Sequence, residues 1–131
     1  MPIATGRFDV NLTPQPADPP IETANLARML LDKTFAGDLA ATSKGQMVAA
    51  LTAVENSAGY VAMERVSGTL HGRSGTFALQ HSSTMARGTP QQSIIVVPDS
   101  GTAELVGLTG NMVIEIKDGD HYYIFDYTLP D

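Results

Sequence analysis

The chain has 131 residues, 43% of them hydrophobic, enough for one compact domain with a single core and too few for two. Its formal charge of −6, with no Lys/Arg cluster to override it, repels phosphate backbones and anionic lipid, so neither nucleic acid nor a membrane is an expected partner. Cysteine is absent, which removes disulfides, thiolate nucleophiles and thiolate metal ligands. The N-terminal MPIATGRFDV lacks the pattern of an export signal, and no apolar run is long enough for a membrane helix, so a cytoplasmic location is expected.

In chain order, ATGRFDVNL predicts a first strand. The next segment, TPQPADPPIET, carries four of the eight prolines and reads as a loop, because proline cannot donate to a ladder. LARMLLDKTFAGDLAATSKGQMVAALTAV is ambiguous: Leu26 to Leu31 suits the start of a helix. The same stretch parses as a strand, a bend at Gly37 and a second strand turning at Lys44-Gly45. The strand parse is favoured.

From Tyr60 the period-2 alternation sharpens. Val61, Met63 and Arg65 point one way, and Tyr60, Ala62, Glu64 and Val66 the other. The pattern repeats with Phe77, Leu79 and His81 on one face and Thr76, Ala78 and Gln80 on the opposite one. NMVIEIKDGDHYYIFDYTL then gives two strands across a turn at Asp118-Gly119, a short hairpin signal. Seven to nine strands result, punctuated by glycine and joined by tight turns. The expected fold is all-β: a closed antiparallel eight-stranded barrel, small enough for side chains to fill or for one small ligand to occupy.

GYVAMERVSGTLHGRSGTFALQHSSTM and VVPDSGTAELVGLTG carry a resemblance that extends from GRFDV to FDYTL. In these strings the chain resembles a bacterial family, domain of unknown function 3224, of the allene oxide cyclase-like barrel group. GDLAATSK is similar to the cyclases' GDL-type strand, GRSGTFALQ to their Gly-x-x-Gly hairpin strand and SGTAELVGLTG to their barrel closure. The resemblance implies an eight-stranded barrel, an oligomer and a small, mostly apolar lumen. It implies no reaction.

Among residues that carry chemistry, Glu64 sits inside the apolar alternation AMERV. Facing the lumen it would lose water, and its pKa would rise toward the range of a general acid or base. In the opposite register it faces solvent or pairs with Arg65 or Arg73. His81 follows Phe77 and Leu79 on one face, which makes it a candidate proton shuttle; the alternative is a rim histidine satisfied by water or by Ser82-Ser83-Thr84. Tyr60, Phe77, Tyr123 and Tyr127 are candidate ligand contacts, the phenols because a hydroxyl can orient a ligand oxygen against an apolar wall. Each also suits plain core filling. Asp38 is a weaker candidate, since Asp beside Gly commonly sets a bend.

His71, His81 and His121 show no metal-ligand spacing, and no phosphate loop or Schiff-base lysine setting is present, so no metal or cofactor is expected. Pro98 to Thr102 lacks the G-x-S-x-G elbow and reads as a β-turn. The expected function is the binding of a small apolar molecule in the lumen, as a carrier or as a cyclase or isomerase. The alternative is a ligand-free assembly barrel.

Overall fold

In the computed structural model, which describes residues 2–21 and 24–130, the alternation becomes eight strands that meet end to end around a ring. They are β1 (Ile3–Gln15), β2 (Leu26–Phe35), β3 (Leu39–Leu51), β4 (Ala58–Leu70), β5 (Arg73–Ala86), β6 (Thr89–Val96), β7 (Thr109–Lys117) and β8 (Asp120–Thr128). Every neighbouring pair is antiparallel, and β8 closes the ring against β1, with Ala4 opposite Phe125. Closure removes the unpaired edges that an open sheet would expose.

Two local expectations are corrected. β1 runs on through Thr13 and Pro14 to Gln15, so the proline-rich loop starts at Pro16. Proline's fixed φ is compatible with a strand, and Pro14 stands near the strand's end, opposite Met29. Lys44-Gly45 is no turn: β3 continues through it for 13 residues, and Gly45 lies opposite Leu31 on one side and Glu64 on the other. Glycine there answers a packing demand between strands. The predicted hairpin at Asp118-Gly119 is present, and both residues take the positive φ that a tight two-residue turn requires, 52° and 83°.

Alternate side chains point inward, and aromatic rings fill half of the barrel. Phe8 packs on Phe35 at 5.5 Å, Phe35 meets Tyr123 edge-on at 5.6 Å, and Phe77 stacks on Phe125 at 5.9 Å. Leu39, Leu70, Leu79 and Val66 complete this plug, with Leu105 and Leu108 from the segment that joins β6 to β7. The plugged end carries the β2–β3 and β4–β5 turns. The weakest seam lies between β6 and β7, where the register covers only Ile94 opposite Met112 and Ile95 opposite Asn111. The Gln92 side chain extends it: its amide accepts from the Ile114 N–H at 2.9 Å and donates to the Ile114 carbonyl at 3.2 Å.

Among the described residues, no helix is long and apolar enough to cross a membrane.

Candidate functional site

Away from the aromatic plug the lumen is hollow. A cavity of about 260 Å³ opens toward the β3–β4 and β7–β8 turns, walled by Val10, Leu12, Leu31, Met47, Ala62 and Ile114, with Ile116, Phe8 and Tyr60. At liquid water's share of about 30 Å³ per molecule, that space equals about nine waters and suits one compact organic molecule of about as many heavy atoms. Residues with polar groups border it at few points: Lys33, His81, His121 and Tyr60.

The interior face of β4 is the one holding Ala62, Glu64 and Val66, so the carboxylate of Glu64 enters the barrel, and the residue is 2% exposed. Its partners are not the arginines suggested by sequence. Lys33 of β2, 5% exposed, donates from Nζ to Glu64 Oε2 at 2.8 Å, and Ser43 of β3 donates from Oγ to Oε1 at 2.9 Å. His81 of β5, 3% exposed, brings Nε2 to 2.7 Å from the same Oε2. That approach lies off the ring's N–H axis and is a close contact instead of an in-line hydrogen bond.

The register explains how a β4 side chain reaches a β2 side chain across β3. Ser43 and Gly45 are the inward residues of β3 that intervene, one supplying a hydroxyl and the other no side chain at all. A Cβ on Gly45 would stand 2.8 Å from Glu64 Cβ and 2.1 Å from the Met63 carbonyl oxygen. Lys33 also lies over the Phe8 ring at 5.1 Å and the Phe35 ring at 5.8 Å, which stabilises a cation away from water.

Burial alone would raise the carboxyl pKa of Glu64. The interaction with His81 and the charge on Lys33 outweigh it and bring the pKa to about 2. Glu64 is therefore ionised at any ordinary pH and has no proton to give. Its chemistry is to hold Lys33 and orient His81, the two members of the cluster that border the cavity.

The other nominated residues divide. Tyr60 borders the cavity. Phe77 is in the aromatic plug, 1% exposed. Tyr123 spends its hydroxyl on the β2–β3 turn, accepting from the Leu39 N–H at 2.8 Å and donating to the Ala36 carbonyl at 2.8 Å. Tyr127 Oη meets His71 Nδ1 at 2.5 Å, and His71 Nε2 lies 3.5 Å from Asp38, whose carboxylate accepts the Thr5 N–H at 2.9 Å. Burial raises both phenol pKa values, so these hydroxyls stay protonated. Phe77, Tyr123, Tyr127 and Asp38 all lie outside the cavity lining. Ser100 is in a turn, as expected for Pro98 to Thr102, and its Oγ accepts the Ala78 N–H at 3.0 Å.

Sequence reasoning missed Lys33, Ser43 and Gly45. A signal for Lys33 was present: once 26–35 is a strand, Leu31, Lys33 and Phe35 share a face, and a lysine between two large apolar residues needs an internal partner.

The architecture defines a class: small closed eight-stranded antiparallel barrels with a solid aromatic end and a hollow end. The family model for a protein of unknown function, DUF3224, matches residues 4–127, so the chain belongs to that family. It is similar to a solved structure, that of a DUF3224-family protein of unknown function from Shewanella oneidensis MR-1. The two are 48% identical with a TM-score of 0.94, over 100% of this chain and 98% of the other. No curated protein matches.

Proposed function

We propose that the barrel binds one small, mostly apolar molecule in its open half and holds an oxygen of that molecule with Lys33, beside His81. The observation that carries this reading is a cavity of about 260 Å³ with apolar walls and one buried charged cluster at its side. An ion pair costs desolvation energy that a pair of apolar residues would not, so its position beside a cavity favours a role in recognition. The GDLAATSK and SGTAELVGLTG strings, similar to those of the allene oxide cyclase-like barrels, support a small apolar lumen; a carrier is the simpler form of the reading and a cyclase or isomerase the further one.

Met47 lines the cavity, whereas Met63 faces outward. In protein labelled at the methionine methyls, titration with 2-heptanone is expected to shift the Met47 signal saturably and leave Met63 in place. The absence of a saturable Met47 shift across apolar ketones, alcohols and acids of this size rejects the reading.

A second reading, assembly through the outer wall, has its own observation. Val48 and Val61 are cross-strand partners, 38% and 56% exposed, and Met63 follows on the same face at 50%. Light scattering of the purified chain tests it: a single-chain mass at all concentrations rejects self-association.

A further inference from the structure

We propose that Lys33 and His81 form a proton-transfer pair acting on an enolisable carbonyl compound, with His81 Nδ1 as the base and the Lys33 ammonium as the group that holds the carbonyl oxygen. The inference rests on the cavity-binding reading above and adds a reaction to it.

Three features meet at one place. Lys33 Nζ and His81 Nε2 both contact the same atom, Glu64 Oε2, at 2.8 and 2.7 Å, so the cation and the imidazole are neighbours. A carboxylate beside Nε2 favours the tautomer with the proton on Nε2, which leaves the lone pair on Nδ1, the other nitrogen of a ring that borders the cavity. Lys33 spends one of its three N–H donors on Glu64, and its other contacts are the faces of Phe8 and Phe35. The cavity therefore meets a donor and a base side by side, in apolar surroundings where electrostatic stabilisation is stronger than in water.

That pairing suits proton abstraction beside a carbonyl better than acyl transfer. Ser43, the hydroxyl of the cluster, is 2% exposed, donates to Glu64 and is not among the cavity-lining residues. In the proposed step, the Nδ1 lone pair takes the α-proton. The C–H electron pair becomes the C=C bond of the enolate, and the carbonyl π pair moves onto oxygen beside the Lys33 ammonium. The imidazolium formed stands against the Glu64 carboxylate. Return of the proton to the α carbon gives exchange; return to the γ carbon of an unsaturated substrate shifts its double bond. Nothing is oxidised or reduced, and no co-reactant is consumed.

The test is hydrogen exchange into 2-heptanone in D₂O, followed by NMR on samples in which the Met47 methyl also reports binding. The expected result is loss of the α-protons about 100-fold or more above the buffer rate. Folded His81→Gln should return it to the buffer rate while the Met47 shift persists, and Lys33→Met should return it to the buffer rate with the Met47 shift moved to higher ketone concentration, because the carbonyl oxygen loses its donor. Wild-type protein that shifts Met47 but leaves exchange at the buffer rate overturns the proton-transfer inference and spares the binding reading. Full exchange in folded His81→Gln protein also overturns it. No Met47 shift and no exchange with any ketone of this size overturns both.

Discussion

Gly45 faces Glu64 directly across the β3–β4 ladder, and the space its missing side chain leaves is the space that the glutamate's stem crosses on its way to Lys33. An alanine methyl there would meet the Met63 carbonyl oxygen at 2.1 Å and Glu64 Cβ at 2.8 Å, both closer than van der Waals contact allows. One is backbone and the other is fixed to it, so neither can swing aside. Gly45→Ala is expected to destabilise the fold by roughly 1–3 kcal/mol, the usual cost of overpacking a well-filled site, and to displace Glu64 from Lys33. Urea unfolding measures the first effect. A stability equal to wild type would mean that β3 and β4 separate more easily than their register implies.

The Lys33 and Glu64 pair should behave as a buried unit. Removing one partner leaves the other's charge away from water, so Lys33→Met and Glu64→Gln are each expected to cost about 3–5 kcal/mol. The double variant, with no uncompensated charge, is expected to cost clearly less than the sum of the two. A double-mutant cycle by urea unfolding reads this coupling, and additive single effects would show that the two side chains do not interact in the folded protein.

The same cluster sets an acid dependence. The carboxyl of Glu64 titrates near 4.5 when unfolded and at about 2 when folded, so the unfolded chain binds the proton more readily. Its stabilisation is full above about pH 4.5 and is lost as pH falls from there through about 2. At about 1.4 kcal/mol per unit, the amount at stake is on the order of 3 kcal/mol. Unfolding free energies measured across that interval should fall more steeply for wild type than for Glu64→Gln. Parallel curves would remove Glu64 as a source of acid sensitivity.

How far this was legible from sequence varies with the physics. The period-2 alternation around Glu64 and His81 fixed which residues share a face, and the glycine-punctuated strands pointed to a closed barrel, because alternation and turn chemistry are local. The direction of each face is a tertiary fact: Glu64 inward and Glu64 outward are the same pattern shifted by one residue. Gly45 read as a turn because glycine's commonest use is local, whereas here it relieves crowding from a strand 19 positions later. Lys33 was passed over for a related reason, since its partner Glu64 is 31 residues away and no spacing rule links β2 to β4. The phenols of Tyr123 and Tyr127 were nominated by residue type alone. Their hydroxyls are spent on a turn and on His71, which composition cannot reveal.

Tyr123 offers a control that separates stability from binding. Its hydroxyl satisfies the Leu39 N–H and the Ala36 carbonyl at the plugged end, and phenylalanine keeps the ring but leaves both groups unpaired. Tyr123→Phe should cost roughly 1–3 kcal/mol in urea unfolding and leave the 2-heptanone titration of Met47 unchanged. A weakened titration would mean that the two ends of the barrel are coupled through Phe35, the ring between Tyr123 and Phe8.

The β6–β7 seam yields the last prediction. Backbone pairing there covers two positions, and the Gln92 amide supplies a donor and an acceptor to Ile114 where the ladder would otherwise lapse. Ile114 and Ile116 of β7 line the cavity, so this seam is part of its wall. Gln92→Leu removes both side-chain bonds and preserves most of the bulk. Because both Ile114 groups regain water on opening, the expected loss in global stability is small, about 1 kcal/mol. The local effect should be larger: hydrogen exchange at the Ile114 amide is expected to accelerate well beyond what the global change accounts for, while the amide of Val66, in the long β4 ladder, keeps its protection. Equal acceleration at the two amides would place the weakness in the whole barrel and not at the seam.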